Sequence, residues 1–153
     1  VATVKREKNQ NIASIMAGLD TDKKAKVGIM GGTYGDGTPV AYVAAIQEFG
    51  SPKNNIPPRS FMRSTISEQH KKWIKTFGKA MERMSAEQAL ELVGAQAAGD
   101  VQEMITSIQT PPLSPTTIHA RQRKMADGKT VGNLTKPLVE TALLLASIKS
   151  VVQ

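Results

Sequence analysis

At 153 residues and 16.4 kDa the chain is sized for one domain, and its 40% hydrophobic and 22% charged residues are those of a globular protein. No apolar run reaches the roughly 18 residues of a membrane span, and the lack of cysteine excludes disulfide frameworks and thiolate metal sites, as fits a reducing compartment. Twenty basic against thirteen acidic residues leave +7, a surplus that suits nucleic acid, an acidic protein surface, or simply a solvated basic surface.

Residues 1–6 lack the apolar core of a signal peptide, so export by that route is not expected. Ile12, Ile15, Met16 and Leu19 stand at helical spacing and predict an amphipathic helix over residues 9–19. A short β-branched run, Val27-Gly28-Ile29-Met30, reads as a strand. It enters a glycine-rich loop, residues 31–37, which lacks the Gly-Lys-Ser/Thr ending and the strand–GxGxxG–helix order of phosphate-binding loops and reads as a surface connection. Pro39 suits the first turn of a helix in which Tyr42, Val43, Ile46 and Phe49 share a face and Gly50 is the stop.

Residues 51–58, with Asn54-Asn55 and Pro57-Pro58, predict a stiff projecting loop. Thr65-x-x-Glu68 matches a capping box, so a helix is expected over about residues 66–84, with Ile66, His70, Trp73 and Phe77 inward and Lys71, Lys72, Lys75 and Lys79 on a basic face. Ser85-x-x-Gln88 opens a second long helix that must end by Thr110, before Pro111-Pro112; Gly94 and Gly99 within it permit either close packing or a kink. Ser114-Pro115 caps a short basic helix containing Ile118, Arg121, Arg123, Lys124 and Met125, ended by Asp127-Gly128. After Pro137, Leu138, Ala142 and Leu145 form a helical stripe, and residues 147–151 alternate like a closing strand. The expectation is one α+β domain over residues 1–153, a small, mostly antiparallel sheet packed against two long helices plus shorter ones.

Chemistry is sparsely provided. His70 sits on an apolar stripe and His119 in a basic helix, no HExxH or other metal-ligand spacing occurs, and Glu82, Glu87 and Glu91 read as exposed helix acids. No catalytic group, metal or cofactor is expected. Lys71, Lys72, Lys75, Arg121, Arg123 and Lys124 are candidate phosphate contacts, with solvated helix faces the weightier alternative; without interleaved aromatics any nucleic-acid contact would be weakly specific.

The most unevenly specified stretch is Tyr42-Val43-Ala44-Ala45-Ile46-Gln47-Glu48-Phe49-Gly50, followed by Ile56-Pro57-Pro58-Arg59-Ser60-Phe61-Met62-Arg63. It resembles the signature of bacteriophage tail-completion proteins, also called minor tail, head-tail joining or virion-morphogenesis proteins, whose pattern is roughly Tyr-Ala-x-x-x-Glu-Phe-Gly, a short loop, then Pro-x-Arg-Pro-Phe-Leu-Arg. The strand before the motif, the two long helices after it and Pro112-Leu113-Ser114-Pro115-x-Thr117 extend the similarity across most of the chain. Ser60 departs from the pattern, as do Glu140 and Ala142, which stand where the family has Asp and Gly; a continuous helix is therefore expected there in place of a turn.

The resemblance implies a noncatalytic virion component assembled in the bacterial cytoplasm. It would form a homo-oligomeric ring, by preference hexameric, between the tail tube or tail terminator and the head connector at the head-proximal end of the tail. The alternative is a basic protein touching phosphates of genomic DNA non-specifically. On this reading Glu48, Phe49, Gly50 and Phe61 anchor the fold, with Glu48 paired to Arg59 or Arg63, while Pro52, Lys53, Asn54, Asn55, Ile56, Arg59 and Arg63 face a neighbouring subunit.

Overall fold

Strands from opposite ends of the described chain meet in an antiparallel pair: β1 (Ala25–Ile29) runs against β2 (Ile148–Val152), Ala25 opposite Val152 and Ile29 opposite Ile148. The computed structural model describes residues 22–129, 131–138 and 142–153, so the helix expected over residues 9–19 lies outside the described residues. Between the strands come α1 (Val40–Phe49), a 3-10 turn (Pro52–Asn54), α2 (Phe61–Ala80), α3 (Ala86–Ser107), α4 (Pro115–Ala126) and α5 (Leu143–Ser147). The architecture is the expected α+β domain with two long helices and a small antiparallel sheet.

The middle layer is α3, which packs on α2 to one side and on both strands to the other. Strand alternation sends Ala25, Val27 and Ile29 to the same face of the sheet as Ser150 and Ile148, and that face meets α3. Val101 and Ile105 of α3 join Val40, Phe61, Leu144 and Ile148 in one buried cluster. Ser85 and Gln88 form the expected capping box at the start of α3, and Ser114 accepts from the Thr117 amide at the start of α4.

The two glycines of α3 do different jobs. A Cβ at Gly94 would sit 3.1 Å from Ser150 Cβ, so this glycine lets the helix approach the sheet closely, whereas a Cβ at Gly99 meets nothing within 4 Å. Gly99→Ala is therefore expected to raise stability by up to about 1 kcal/mol through helix propensity. Gly94→Ala is expected to lower it by about 1 kcal/mol or more through overpacking, the opposite signs being read from urea midpoints at constant m-value.

Two expected elements are placed differently. The first long helix begins at Phe61, five residues before the expected Ile66, and ends at Ala80. Thr65 is no cap: it is buried one turn inside, its hydroxyl donating to the Phe61 carbonyl at 2.6 Å. His70 is exposed, its Nδ1 lying against the Ile66 and Ser67 carbonyls of its own helix, because the apolar face that meets α3 is rotated away from it. Near the C-terminus, Leu138 and Ala142 both have positive φ, 64° and 57°, so the expected helical stripe is interrupted and, among the described residues there, only α5 is helical. Alanine at position 142 takes the left-handed conformation, while Glu140 lies outside the described residues.

Candidate functional site

The α1–α2 junction is built around one carboxylate. Along α1 the buried positions are Val40, Ala44 and Glu48, which share a face at four-residue spacing. This turns Glu48 inward, at 5% exposure, directly against the start of α2. Its Oε2 accepts the Met62 amide at 2.8 Å and its Oε1 accepts the Arg63 amide at 3.1 Å, the Ser60 hydroxyl at 2.8 Å and Arg63 Nε at 2.9 Å. Ser60 occupies the N-cap position without bonding a helix amide through its side chain. A glutamate from the preceding helix thus performs the capping, placing negative charge at the positive end of α2.

Burial is the largest single influence on the Glu48 carboxyl and acts to raise its pKa, but the four hydrogen bonds together outweigh it and hold the group below its ordinary 4.5. Arg63 also donates to the Glu48 carbonyl at 2.9 Å, and its guanidinium carbon lies 4.9 Å from the centre of the Phe49 ring. Of the two pairings open to Glu48 in the sequence, Arg63 is the one formed.

Gly50 ends α1 at φ 77°, and a Cβ there would come within 2.9 Å of both the Ile56 carbonyl and the Pro58 nitrogen, so glycine is what allows the loop to return across the helix end. The loop closes on itself through Ser51 and Ile56, which exchange backbone bonds of 2.8 and 3.0 Å, and through Asn54 Nδ2 to Ser51 Oγ at 2.9 Å. Asn55 takes the left-handed conformation that asparagine tolerates. Pro52, Lys53, Asn54 and Asn55 are exposed and Ile56 is half-buried.

Two of the expected assignments are reversed. Arg59, expected to face a neighbour, is 5% exposed and serves as an internal clamp. Its Nε and NH2 donate to the Pro111 and Pro112 carbonyls at 2.8 and 2.9 Å, its NH1 donates to Gln47 Oε1 at 3.1 Å, and its amide bonds the Gln47 carbonyl. Phe49, expected in the core, is 65% exposed. The reason is rotational: the α1 face that carries Tyr42 and Phe49 lies off the Val40–Ala44–Glu48 line, so inward Glu48 requires outward Phe49. Phe61 is buried as expected, and Arg63 remains more than half exposed while pairing with Glu48.

The candidate phosphate contacts also divide. Arg121 is buried and donates from NH1 to the Asn133 and Lys136 carbonyls at 2.6 and 2.8 Å, so it braces the segment after α4 and presents no cation to solvent. Lys72 pairs with Asp100 at 3.0 Å, whose other oxygen accepts the Trp73 indole N–H at 2.7 Å, tying α2 to α3. Lys71, Lys75, Arg123 and Lys124 are exposed. The helical pattern does not reveal Asp100, Gln47 or the Pro111 and Pro112 carbonyls as anchors, since each acts on a residue far along the chain.

Among the described residues no group of three or more His, Asp or Glu converges as a metal site, and no helix is long and apolar enough to cross a membrane. A groove of about 250 Å³ lies between β1, α2 and α3, lined by side chains such as Val27, Ile66, Trp73 and Val93 and by no ionisable group. The junction is therefore a rigid bracket that fixes Glu48, Gly50 and Arg59 inside and holds Tyr42, Phe49 and the 52–55 turn outside. No family model, no curated protein and no solved structure matches this chain.

Proposed function

We propose that this chain is a structural subunit of a tailed-phage virion, forming a ring, by preference hexameric, at the head-proximal end of the tail and joining the tail tube or terminator to the head connector. The observation that carries the reading is the bracket itself. The residues with which the chain resembles tail-completion proteins are those that interlock α1, the loop and α2, and the same interlock leaves Phe49 at 65% exposure next to the exposed 52–55 turn, with Tyr42, 61% exposed, two turns back on the same face of α1. An exposed aromatic stacked with an arginine, on a surface already ordered in the single chain, has the composition of an interface hot spot and loses little entropy on association. The mainly apolar groove offers nothing for acid–base or metal chemistry.

The test is oligomeric state and tail binding by the full chain, measured by light scattering after size exclusion and by electron microscopy with purified tail tubes. Ring-sized particles, or tubes capped at one end, are expected without DNA. Phe49→Ser is expected to abolish them while shifting the urea midpoint little. A monomer that caps no tube and instead binds duplex DNA, with affinity falling steeply as salt rises, would establish the DNA-binding alternative built on Lys71, Lys75, Arg123 and Lys124.

A further inference from the structure

Charge is sorted by helix in this protein. Between Phe61 and Ala80, α2 carries Arg63, Lys71, Lys72, Lys75 and Lys79 against the single acid Glu68. Between Ala86 and Ser107, α3 carries Glu87, Glu91, Asp100 and Glu103 and no Lys or Arg. Internal pairing uses Lys72 with Asp100 and Lys23 with Glu87. Lys71 and Lys75 on one helix and Glu91 and Glu103 on the other remain exposed.

Each helix also exposes apolar surface beside its charges. On α2, Ile66, His70 and Ile74 follow at four-residue spacing, with Ile66 51% and Ile74 69% exposed, and Arg63 carries this stripe across to Phe49 on α1. On α3, Gln88, Leu92, Ala95, Gly99 and Glu103 share an exposed face, with Ala95 and Gly99 leaving it open to close approach. The α2 stripe from Arg63 to Ile74 is roughly 17 Å long and the α3 face from Gln88 to Glu103 roughly 22 Å, at 1.5 Å per residue.

We infer that the α1–α2 stripe of one copy seats on the exposed α3 face of a second copy, head to tail. This rests on the ring reading above and specifies its interface. Neither face suits itself: a two-fold pairing of the α2 stripes sets Arg63, Lys71 and Lys75 against their own copies, and a two-fold pairing of the α3 faces sets Glu91 and Glu103 against theirs. The mixed pairing places lysine against glutamate and Ile74 with Leu92. An interface between two different faces is heterologous, and its repetition closes a ring when the rotation allows.

The test exchanges the charges in the full chain and reads sedimentation velocity. Lys71→Glu with Lys75→Glu, and separately Glu91→Lys with Glu103→Lys, are each expected to weaken self-association roughly tenfold or more, because each variant confronts like charges. Mixed one to one, the two variants are expected to recover wild-type particle size, since each mutated face then meets its complement. The chain carrying all four changes is expected to recover it alone. Circular dichroism and urea midpoints establish that each variant is folded. If the wild type assembles and the two double variants assemble equally well, or if neither the mixture nor the fourfold variant recovers, the inferred interface is wrong and the ring reading stands. If the wild type neither self-associates nor caps tubes, both fall. Loss of duplex DNA binding by Lys71→Glu with Lys75→Glu, without change in self-association, would assign that face to DNA.

Discussion

Glu48→Ala is expected to destabilise the domain by about 2–4 kcal/mol, a large share of the roughly 5–15 kcal/mol by which domains of this size are typically stable. The substitution removes the acceptor for the Met62 and Arg63 amides, which is the loss of a helix cap worth about 0.5–2 kcal/mol, and also strands the Ser60 hydroxyl and the Arg63 side chain. Arg63 is more than half exposed and is rehydrated by water, which keeps its share of the loss small. Glu48→Gln retains a single acceptor oxygen and offers an NH2 to a site where, apart from the Ser60 hydroxyl, every partner is an N–H donor, so about 1–2 kcal/mol is expected.

The pH dependence follows from the same bonds. The folded-state pKa of Glu48 is depressed, so its contribution is complete above the ordinary value of 4.5 and is lost as pH falls below that value through the lower folded pKa. Urea titrations from neutral pH down through this window are expected to show the wild type converging on Glu48→Gln. A gap that stays constant into acid would show that the carboxylate charge is not what holds the start of α2.

Arg59→Met is the second substitution expected to cost heavily, about 2–4 kcal/mol. Methionine keeps much of the packed stem but abandons the Pro111 and Pro112 carbonyls and the Gln47 side chain, all held by the guanidinium fork through part-buried hydrogen bonds. Arg59→Lys is expected to recover only part, because one ammonium cannot span the separate acceptors that the planar fork reaches. Burial first, and then the neighbouring positive charge of Arg121, lower the Arg59 pKa below the ordinary guanidinium value; among the described residues its side chain bonds carbonyl oxygens, whose dipoles supply the compensation. The readout that separates an internal clamp from a contact with a neighbour is hydrogen exchange in the monomer. Faster exchange in the segment around residues 110–114, together with a lower urea midpoint, is expected. Weakened assembly with unchanged stability would return Arg59 to the interface.

These substitutions mark where local pattern stops informing. The capping box at Ser85 and Gln88, the Ser114-Pro115 helix start and the Gly50 stop are legible because every group involved lies within a few residues of its partner, and the closing strand is legible from its own alternation although its partner strand is distant. The start of α2 is not legible in this way. Thr65-x-x-Glu68 offers a local cap, yet the helix begins one turn earlier, where Glu48 supplies an acceptor from another helix and Phe61 enters the core. The acidic and aromatic residues of Glu48-Phe49-Gly50 stand out in the sequence, but which of the two adjacent side chains goes inside depends on how α1 is rotated on the core, a matter of packing around Val40 and Ala44.

The amino-acid sequence by itself determined the α+β class, the two long helices and the points where glycine and proline break the chain, since these follow from periodicity, capping and backbone freedom over short spans. Only the tertiary structure decided that Glu48 and Arg59 are inside and Phe49 outside. Burying a charged group is acceptable only when partners from distant segments surround it, and those partners, the amides at the start of α2 for Glu48 and the Pro111 and Pro112 carbonyls for Arg59, are brought into place by the fold.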